Sequence, residues 1–176
     1  MSPAGLPERE FRDAISLLAT GVTVVTTTTE SGPAGMTASA VCSLSLEPVQ
    51  LLVCINKVLP THKALERKGS FAVNVLGEDH AQLARRFATR DIDRFAGVPL
   101  RERCRLPVLR EAIAYFECRV SERFEGGDHS IFIGHVETCG HQAGSRPLLY
   151  FGRTFGSLET PEAALLKAWA EGGATV

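Results

Sequence analysis

The sequence has no long apolar segment. Nowhere in its 176 residues does a run approach the roughly 18 to 20 consecutive apolar residues that a membrane-spanning helix needs. Residues 1–5 also lack the basic and apolar stretches of a secretory signal peptide. We therefore expect a cytoplasmic protein with no membrane partner.

An excess of charge of either sign is also missing. The 19 Lys and Arg residues nearly balance the 20 Asp and Glu residues, which leaves a net charge of -1, and no long basic block occurs. Nucleic acids and anionic membrane surfaces are bound mainly through clusters of positive charge. Neither is therefore expected as a partner.

Paired cysteine motifs are absent. The five cysteines are odd in number, are far apart and include no CxxC pair; they are Cys42, Cys54, Cys104, Cys118 and Cys139. This pattern excludes a zinc ribbon or a thioredoxin-type motif and favours buried, reduced thiols. His135 can share a strand face with Glu137, but no further ligand stands at a recognisable metal spacing. No metal site is expected.

The common catalytic and nucleotide-binding motifs are missing too. The sequence contains no GxGxxG after a strand, so the Rossmann mode of binding a dinucleotide is unavailable, and it contains no GxxxxGK[ST], HExxH or GxSxG. Hydrolytic chemistry is therefore disfavoured.

The most informative stretch that is present runs from Gly35 to Leu46. Its apolar residues share one parity and are Ala38, Ala40, Cys42, Leu44 and Leu46. Its hydroxyl residues share the other and are Thr37, Ser39, Ser43 and Ser45. This alternation predicts a strand with one apolar and one polar face. Such short hydroxyls leave room for a ligand against the backbone, although a Ser/Thr-rich edge strand would give the same pattern.

Strand-like segments dominate the remaining sequence. Further strands are predicted at residues 22–29, 49–55, 71–76, 112–124, 130–138, 148–151 and 154–158. Helices are predicted from Glu8 to Ala19, from Thr61 to a stop at Gly69, from Asp79 onward, and at about 160–170 with Leu165, Leu166 and Trp169. Residues 88–107 are interpreted as a long surface excursion that serves a site or an interface. Strands separated mainly by turns favour an antiparallel barrel in one domain.

Two groups of polar residues are candidates for ligand contact. The turn from Gly126 to His129 contains Asp128, whose carboxylate can orient the neighbouring imidazole, although Asp and His are also common in ordinary turns. Arg85 and Arg86 lie on the polar side of their predicted helix. They are either solvated or within reach of a phosphate.

In this order, the segments resemble the flavin reductase family with the FMN-binding split-barrel fold, the reductase components of two-component flavin-dependent monooxygenases. The resemblance covers about residues 8–158. The motifs that carry it include ATGVTVV at 19–25, GMTAS at 35–39, FAVNVL at 71–76, GDH at 127–129, IFIG at 131–134 and PLLY at 147–150.

The resemblance implies a mainly β fold, a six-stranded antiparallel split β-barrel of Greek-key type with peripheral helices. It implies one domain over residues 1–176 that forms a homodimer with flavin near the interface. The implied activity is reduction of FMN or FAD by hydride transfer from NADH or NADPH, and the reduced flavin then diffuses to a separate oxygenase. The alternatives are a flavin-binding electron-transfer or binding protein without turnover of free flavin, and a cofactor-free interaction module.

The resemblance also implies a set of site residues. His129 is the candidate catalytic residue and is expected to position the nicotinamide nucleotide rather than to act as an acid. The implied cofactor-binding residues are Met36, Thr37, Ala38, Ser39, Ser43, Cys54, Ile55, Asn56, Thr61, His62, Arg86, Phe87, His129 and Tyr150.

Overall fold

The computed structural model describes residues 5–158. The described chain contains ten strands and three α-helices, with a 3₁₀ turn at Glu78–His80. In order they are α1 (Glu8–Ile15), β1 (Thr20–Gly21), β2 (Thr23–Thr29), β3 (Gly32–Ala38), β4 (Val41–Leu46), β5 (Val49–Asn56), α2 (Pro60–Lys68), β6 (Ser70–Val75), α3 (Ala81–Ala88), β7 (Ala114–Gly126), β8 (His129–His141), β9 (Leu148–Phe151) and β10 (Thr154–Ser157). The helix predicted at about 160–170 lies outside the described residues.

The strands form two antiparallel sheets. The larger has seven strands in the order β3-β2-β6-β7-β8-β5-β4, and the smaller has three in the order β1-β9-β10. The prediction of a mainly β, antiparallel fold with peripheral helices is confirmed. The expected six-stranded barrel is not found in residues 5–158, because the larger sheet has seven strands and its edge strands β3 and β4 do not pair with each other.

The two edge strands are nevertheless neighbours in sequence, since only Ser39 and Ala40 separate them. The link is kinked: the Val41 amide donates to the Ser39 carbonyl, and the Cys54 amide donates to the Ala40 carbonyl, both at 3.0 Å. One continuous stretch therefore supplies both edges of the sheet.

This kink changes which side chains face the core. Ala38 is buried, whereas Cys42, Leu44 and Leu46 beyond the link are exposed. The prediction of one strand with a single buried apolar face is therefore wrong after Ser39. A break in a strand can exchange the set of alternate residues that faces the core for the set that faces away from it.

The hydrophobic core lies on the inner face of the larger sheet. In β5 the inward residues Leu51, Val53 and Ile55 alternate with partly exposed ones, as the two-residue period of a strand requires. They pack with Phe71 and Phe132. A second cluster joins β2 and β6 to α3 and β9 and contains Val22, Val24, Leu76, Ala84, Phe87, Leu109, Ala112 and Leu148.

The long excursion is only partly a surface segment. Its end re-enters the fold, where Leu106 is buried and Val108 is fully buried. Buried polar groups hold it: Thr26 donates its hydroxyl to the Pro107 carbonyl at 2.7 Å, and Asn74 accepts the Leu109 amide at 2.8 Å. The interpretation of residues 88–107 as a surface excursion is therefore wrong at its end, where Leu106 and Pro107 are buried, because these β-strand side chains offer partners for the backbone.

Helix boundaries follow the sequence with small shifts. Gly69 ends α2, as predicted, and has a φ of +66°; α2 begins at Pro60 after Leu59, one residue before the predicted start at Thr61. α1 ends at Ile15, earlier than predicted. No helix among residues 5–158 is long and apolar enough to cross a membrane.

A glycine is required at position 134, where β8 crosses the core. A Cβ there would lie 2.6 Å from Cζ of Phe71 and 2.8 Å from Cβ of Cys118. We expect Gly134→Ala to lower the free energy of unfolding by about 1–3 kcal/mol, since overpacking displaces buried neighbours. Denaturant unfolding measures the loss. Gly156→Ala, where an added Cβ meets nothing within 4 Å, is the control, and equal stability of the two variants would contradict this packing argument.

Candidate functional site

The predicted site residues meet on three adjacent strands, with β5 between β4 and β8. On one side of β5, Cys54 is hydrogen-bonded to Ala40 of the β3–β4 link. On the other side, Asn56 stands directly opposite His129. The register thus brings the hydroxyl-bearing stretch, the end of β5 and the start of β8 to one end of the outer sheet surface.

The predicted row of hydroxyls divides into two parts. Thr37 donates its hydroxyl to the Ala84 carbonyl at 2.6 Å and so joins β3 to α3. Met36 and Ala38 belong to the core cluster or pack against it. Ser39 and Ser43 are both exposed. Ser43 pairs with Leu51 of β5, so it lies on the opposite face of the sheet from Cys54. Ser39 lies in the link next to Ala40, whose carbonyl is bonded to the Cys54 amide.

The three predicted residues of β5 differ in orientation. Ile55 is fully buried in the core, so only its main chain can meet a ligand on the outer surface. Cys54 is half-buried on the outer side, and burial raises the pKa of its thiol, with Cys42 acting in the same direction. Asn56 accepts the Val58 amide at 3.0 Å and points its amide nitrogen at Asp128, 3.4 Å away.

His129 follows a tight two-residue turn made of Gly127 and Asp128. Gly127 has a φ of +69° in the first turn position, which matches a type II′ hairpin. The Nδ1 atom of His129 lies 2.8 Å from a carboxylate oxygen of Asp128. This hydrogen bond holds the pKa of Asp128 below its usual range. The carboxylate therefore stays ionised, favours the proton on Nδ1 and leaves Nε2 to face a ligand.

Thr61 and His62 are buried rather than exposed to a ligand. The Nε2 atom of His62 lies 2.8 Å from the Ser130 hydroxyl, and Nδ1 lies 3.4 Å from Glu66. Its ring also packs edge-on against Phe132. His62 thus joins α2 to β8 directly behind His129.

Arg86, Phe87 and Tyr150 lie on other elements. Arg86 donates to the carbonyls of Asp93 and Ala96 at 3.1 and 2.6 Å, so its guanidinium supports the long excursion. Phe87 is fully buried. Tyr150 lies in the smaller sheet. The contacts of these three residues do not connect them to the end of β5.

Sequence reasoning missed two charged residues at the site. Lys57 contacts Gly127 and Glu125, and Arg123 contacts Glu66 of α2. Lys57 and Gly127 are 70 positions apart. No local pattern connects them, since only the pairing of β5 with β8 brings them together.

The outer surface beside these residues has the character of a site for a flat, partly polar ring. Half-buried Leu52, Ile131 and Ile133 form an apolar floor. Exposed Ser39 and the kinked main chain offer hydrogen bonds at one border, and His129 stands at the other. These residues fit the chemistry of a flavin. No cluster of three or more metal-ligating side chains occurs within residues 5–158.

The deeper clefts lie elsewhere. One of about 680 Å³ lies between α2 and the β2–β3 turn, and another of about 490 Å³ lies beside Glu78–His80. Neither is lined by a predicted cofactor-binding residue. The candidate site is therefore an open surface of the single chain.

Comparison with known proteins gives consistent matches. Residues 15–159 match the family described as flavin reductase like domain. The chain is 45% identical over 152 residues to the reductase component of 4-nitrophenol 4-monooxygenase/4-nitrocatechol 2-monooxygenase from Rhodococcus opacus, which covers 86% of this chain and 81% of that protein. It is 38% identical over 163 residues to an FMN reductase (NADH) from Methylorubrum extorquens, with coverage of 91% and 95%.

The fold is similar to that of a solved flavin enzyme. The structure of the NADH:FAD oxidoreductase from Streptomyces globisporus, in complex with NAD and FAD fragments, superposes with a TM-score of 0.81 at 35% identity. The match covers 91% of this chain and 99% of that one.

The buried imidazole of His62 should make stability depend on pH. Burial, followed by the charges of Arg123 and Lys57, lowers the pKa of His62 in the folded state. The unfolded chain therefore binds a proton at this imidazole more readily than the folded protein does. The contribution of neutral His62 to the free energy of unfolding is complete above the unfolded pKa and is lost as the pH falls through the folded pKa. We expect the denaturation midpoint to drop between pH 7.5 and 5.5, and to drop less in His62→Gln. Exposed His141→Gln is the control, and parallel pH profiles for all three proteins would contradict the assignment.

Proposed function

The chain belongs to the flavin reductase family, and on that premise we propose that it is a single-domain, NADH-dependent flavin reductase that supplies reduced flavin to a separate monooxygenase. The observation that carries the proposal is the placement of β5 between the Ser39–Ala40 link and His129. In this proposal the link supplies hydrogen-bonding groups for a flavin, and His129 on the same surface positions the nicotinamide nucleotide. The R. opacus relative is the reductase component of a two-component system by name, which supports the separate oxygenase partner.

The chain's own residues bind and orient in this proposal. Ser39 and the main chain of the link bind the polar border of the flavin, and Cys54 and Asn56 line its length. The kink supports this role, because its small side chains leave the backbone accessible. Thr61 and His62 support the start of α2 from within the fold and make no direct contact with the cofactor.

His129 contributes position rather than proton transfer. When bound, the flavin supplies the hydride-accepting chemistry, so the protein needs no nucleophile. Asp128 fixes the imidazole through the 2.8 Å contact at Nδ1, which leaves Nε2 available to the nicotinamide nucleotide. NADH is the expected donor because the M. extorquens relative is named for NADH.

We also propose that a second copy of the chain completes the site. The outer surface of β5, β7 and β8 carries half-buried Leu52, Ile131 and Ile133 and Phe124, which is 49% exposed; the neighbouring edge strand β4 adds Leu44, which is 44% exposed. Exposed apolar surface of this kind is typical of an interface. Since it adjoins Ser39, a homodimer through this surface would place a wall over the open link, consistent with a split-barrel dimer.

The activity is tested with purified protein and added flavin. We expect oxidation of NADH that depends on FMN or FAD, and a weaker use of NADH in His129→Ala with little change in flavin affinity, because His129 contacts the nicotinamide nucleotide. Initial rates with each flavin and each of NADH and NADPH measure the preference, and flavin fluorescence measures affinity.

His141→Ala is the matched control, since this histidine is exposed at the far end of the same strand. If no flavin supports NADH oxidation by the wild-type protein, the enzyme function is refuted. If His129→Ala retains the wild-type KM for NADH, the assignment of His129 is refuted and the enzyme function stands.

The dimer is tested by placing a charge on the proposed interface. We expect Leu44→Asp to weaken self-association by about 100-fold in Kd, because two copies of the substitution each remove roughly 1.5 kcal/mol of apolar burial. Sedimentation velocity over a concentration series measures the change. Ile92→Asp, at an exposed position in the excursion, should associate as the wild type does. A monomeric wild-type protein, or a Leu44→Asp protein with unchanged association, would contradict this interface.

A further inference from the structure

The turn that carries His129 is poorly supported by packing. β7 and β8 form a long hairpin, and every residue from 121 to 128 at its tip is exposed. Exposed residues bury little apolar surface, so packing stabilises the position of the turn only weakly. Polar contacts from neighbouring elements must therefore fix the turn.

Lys57 supplies most of these contacts. Its Nζ atom donates to the Gly127 carbonyl at 2.6 Å and lies 2.5 Å from the Glu125 carboxylate. Its main-chain amide donates to the Asp128 carbonyl at 3.0 Å. One residue thus contacts three of the four positions that precede His129.

The ammonium group of Lys57 is already paired with groups of the protein itself. An ammonium group has three N–H donors, and two of them face Gly127 and Glu125. The hydrogen bond from Lys57 also holds the pKa of the Glu125 carboxyl below its usual range, so this partner is ionised at neutral pH. The geometry favours a structural contact with the turn over direct contact with a ligand phosphate.

The orientation of His129 depends on the same turn. Its Nδ1 atom lies 2.8 Å from Asp128, and the carbonyl of Asp128 is bound by Lys57. Asn56, which precedes Lys57, also points its side-chain amide at the Asp128 carboxylate. A movement of the turn would therefore move the carboxylate that orients the imidazole.

We propose that Lys57 is a positioning residue for His129, and that its contacts with Glu125 and Gly127 hold the imidazole in place for the nicotinamide nucleotide. The proposal rests on the function proposed above. Two further contacts keep the hairpin on α2 without Lys57: Arg123 binds Glu66, and Ser130 is hydrogen-bonded to His62. Removal of the Lys57 charge should therefore loosen the turn without detaching the hairpin.

Lys57→Met tests this role because it removes the charge while it keeps the length of the side chain. We expect the KM for NADH to rise about tenfold, since small displacements of a positioning group are costly, while kcat and the flavin Kd stay within about twofold of wild type. Lys57→Arg should recover most of the KM. Lys68→Met, the same substitution at an exposed position in the last turn of α2, should leave KM unchanged.

The ion pair between Lys57 and Glu125 provides a second, independent test. Glu125→Gln should raise the KM for NADH in the same direction, and the double variant Lys57→Met/Glu125→Gln should be no worse than Lys57→Met alone, because both substitutions remove one interaction. Additive effects would overturn the proposal. A loss of flavin affinity equal to the rise in KM would also overturn it, since this would indicate direct contact between Lys57 and the cofactor.

Histidine ¹⁵N NMR provides a readout that does not need activity. In the wild-type protein, the His129 signals should show one tautomer with the proton on Nδ1, and Lys57→Met should convert them to a mixture, with recovery in Lys57→Arg. Unchanged His129 signals in Lys57→Met would overturn the positioning role even if the protein does not reduce flavin. Failure of the proposed function is recognised separately, as a wild-type protein without flavin-dependent NADH oxidation.

Discussion

The antiparallel pairing of β5 with β4 on one side and β8 on the other is the constraint on which the site depends. Strand neighbours lie about 4.8 Å apart, so this pairing alone brings Ala40, Cys54 and His129 onto one surface although they are far apart in sequence. This arrangement requires that one face of β5 is buried. Leu51, Val53 and Ile55 form that buried apolar face within the core. Burial of one face of β5 therefore fixes the outward direction of Cys54 and Asn56.

The site lies next to the two-residue link, Ser39–Ala40, between the edge strands of the larger sheet. Ser39 and Ala40 lie between the two strands; their carbonyls accept from the amides of Val41 and Cys54, so the link offers a ligand its main-chain amides. Beyond this break Cys42 pairs with Leu52 and faces outward. One local break thus accounts both for accessible hydrogen-bonding groups and for an exposed apolar surface beside them. A second copy of the chain would use these features together, since covering the apolar side chains would also enclose the ligand.

Most of the secondary structure could be predicted because it depends on local sequence patterns. The strand at 49–55, the glycine after α2 and the turn at 127–128 all depend on neighbouring residues, and the structure agrees with each. The predictions that failed depend on distant contacts. The predicted surface excursion includes buried Leu106 and Pro107, because the hydrogen-bond partners of this segment, Thr26 and Asn74, lie in distant strands.

By itself, the sequence determined the antiparallel β class, the family and the His129 turn, because hydrophobic periodicity, turn chemistry and ordered motifs are local properties of the chain. Only the tertiary structure decided that Arg86 and His62 support the fold through internal partners, and that Lys57 contacts the turn of His129. The physical reason is that a charged or polar side chain has several available partners of similar chemistry. Which partner it takes depends on strand register and helix docking, which form only when the whole sheet is assembled.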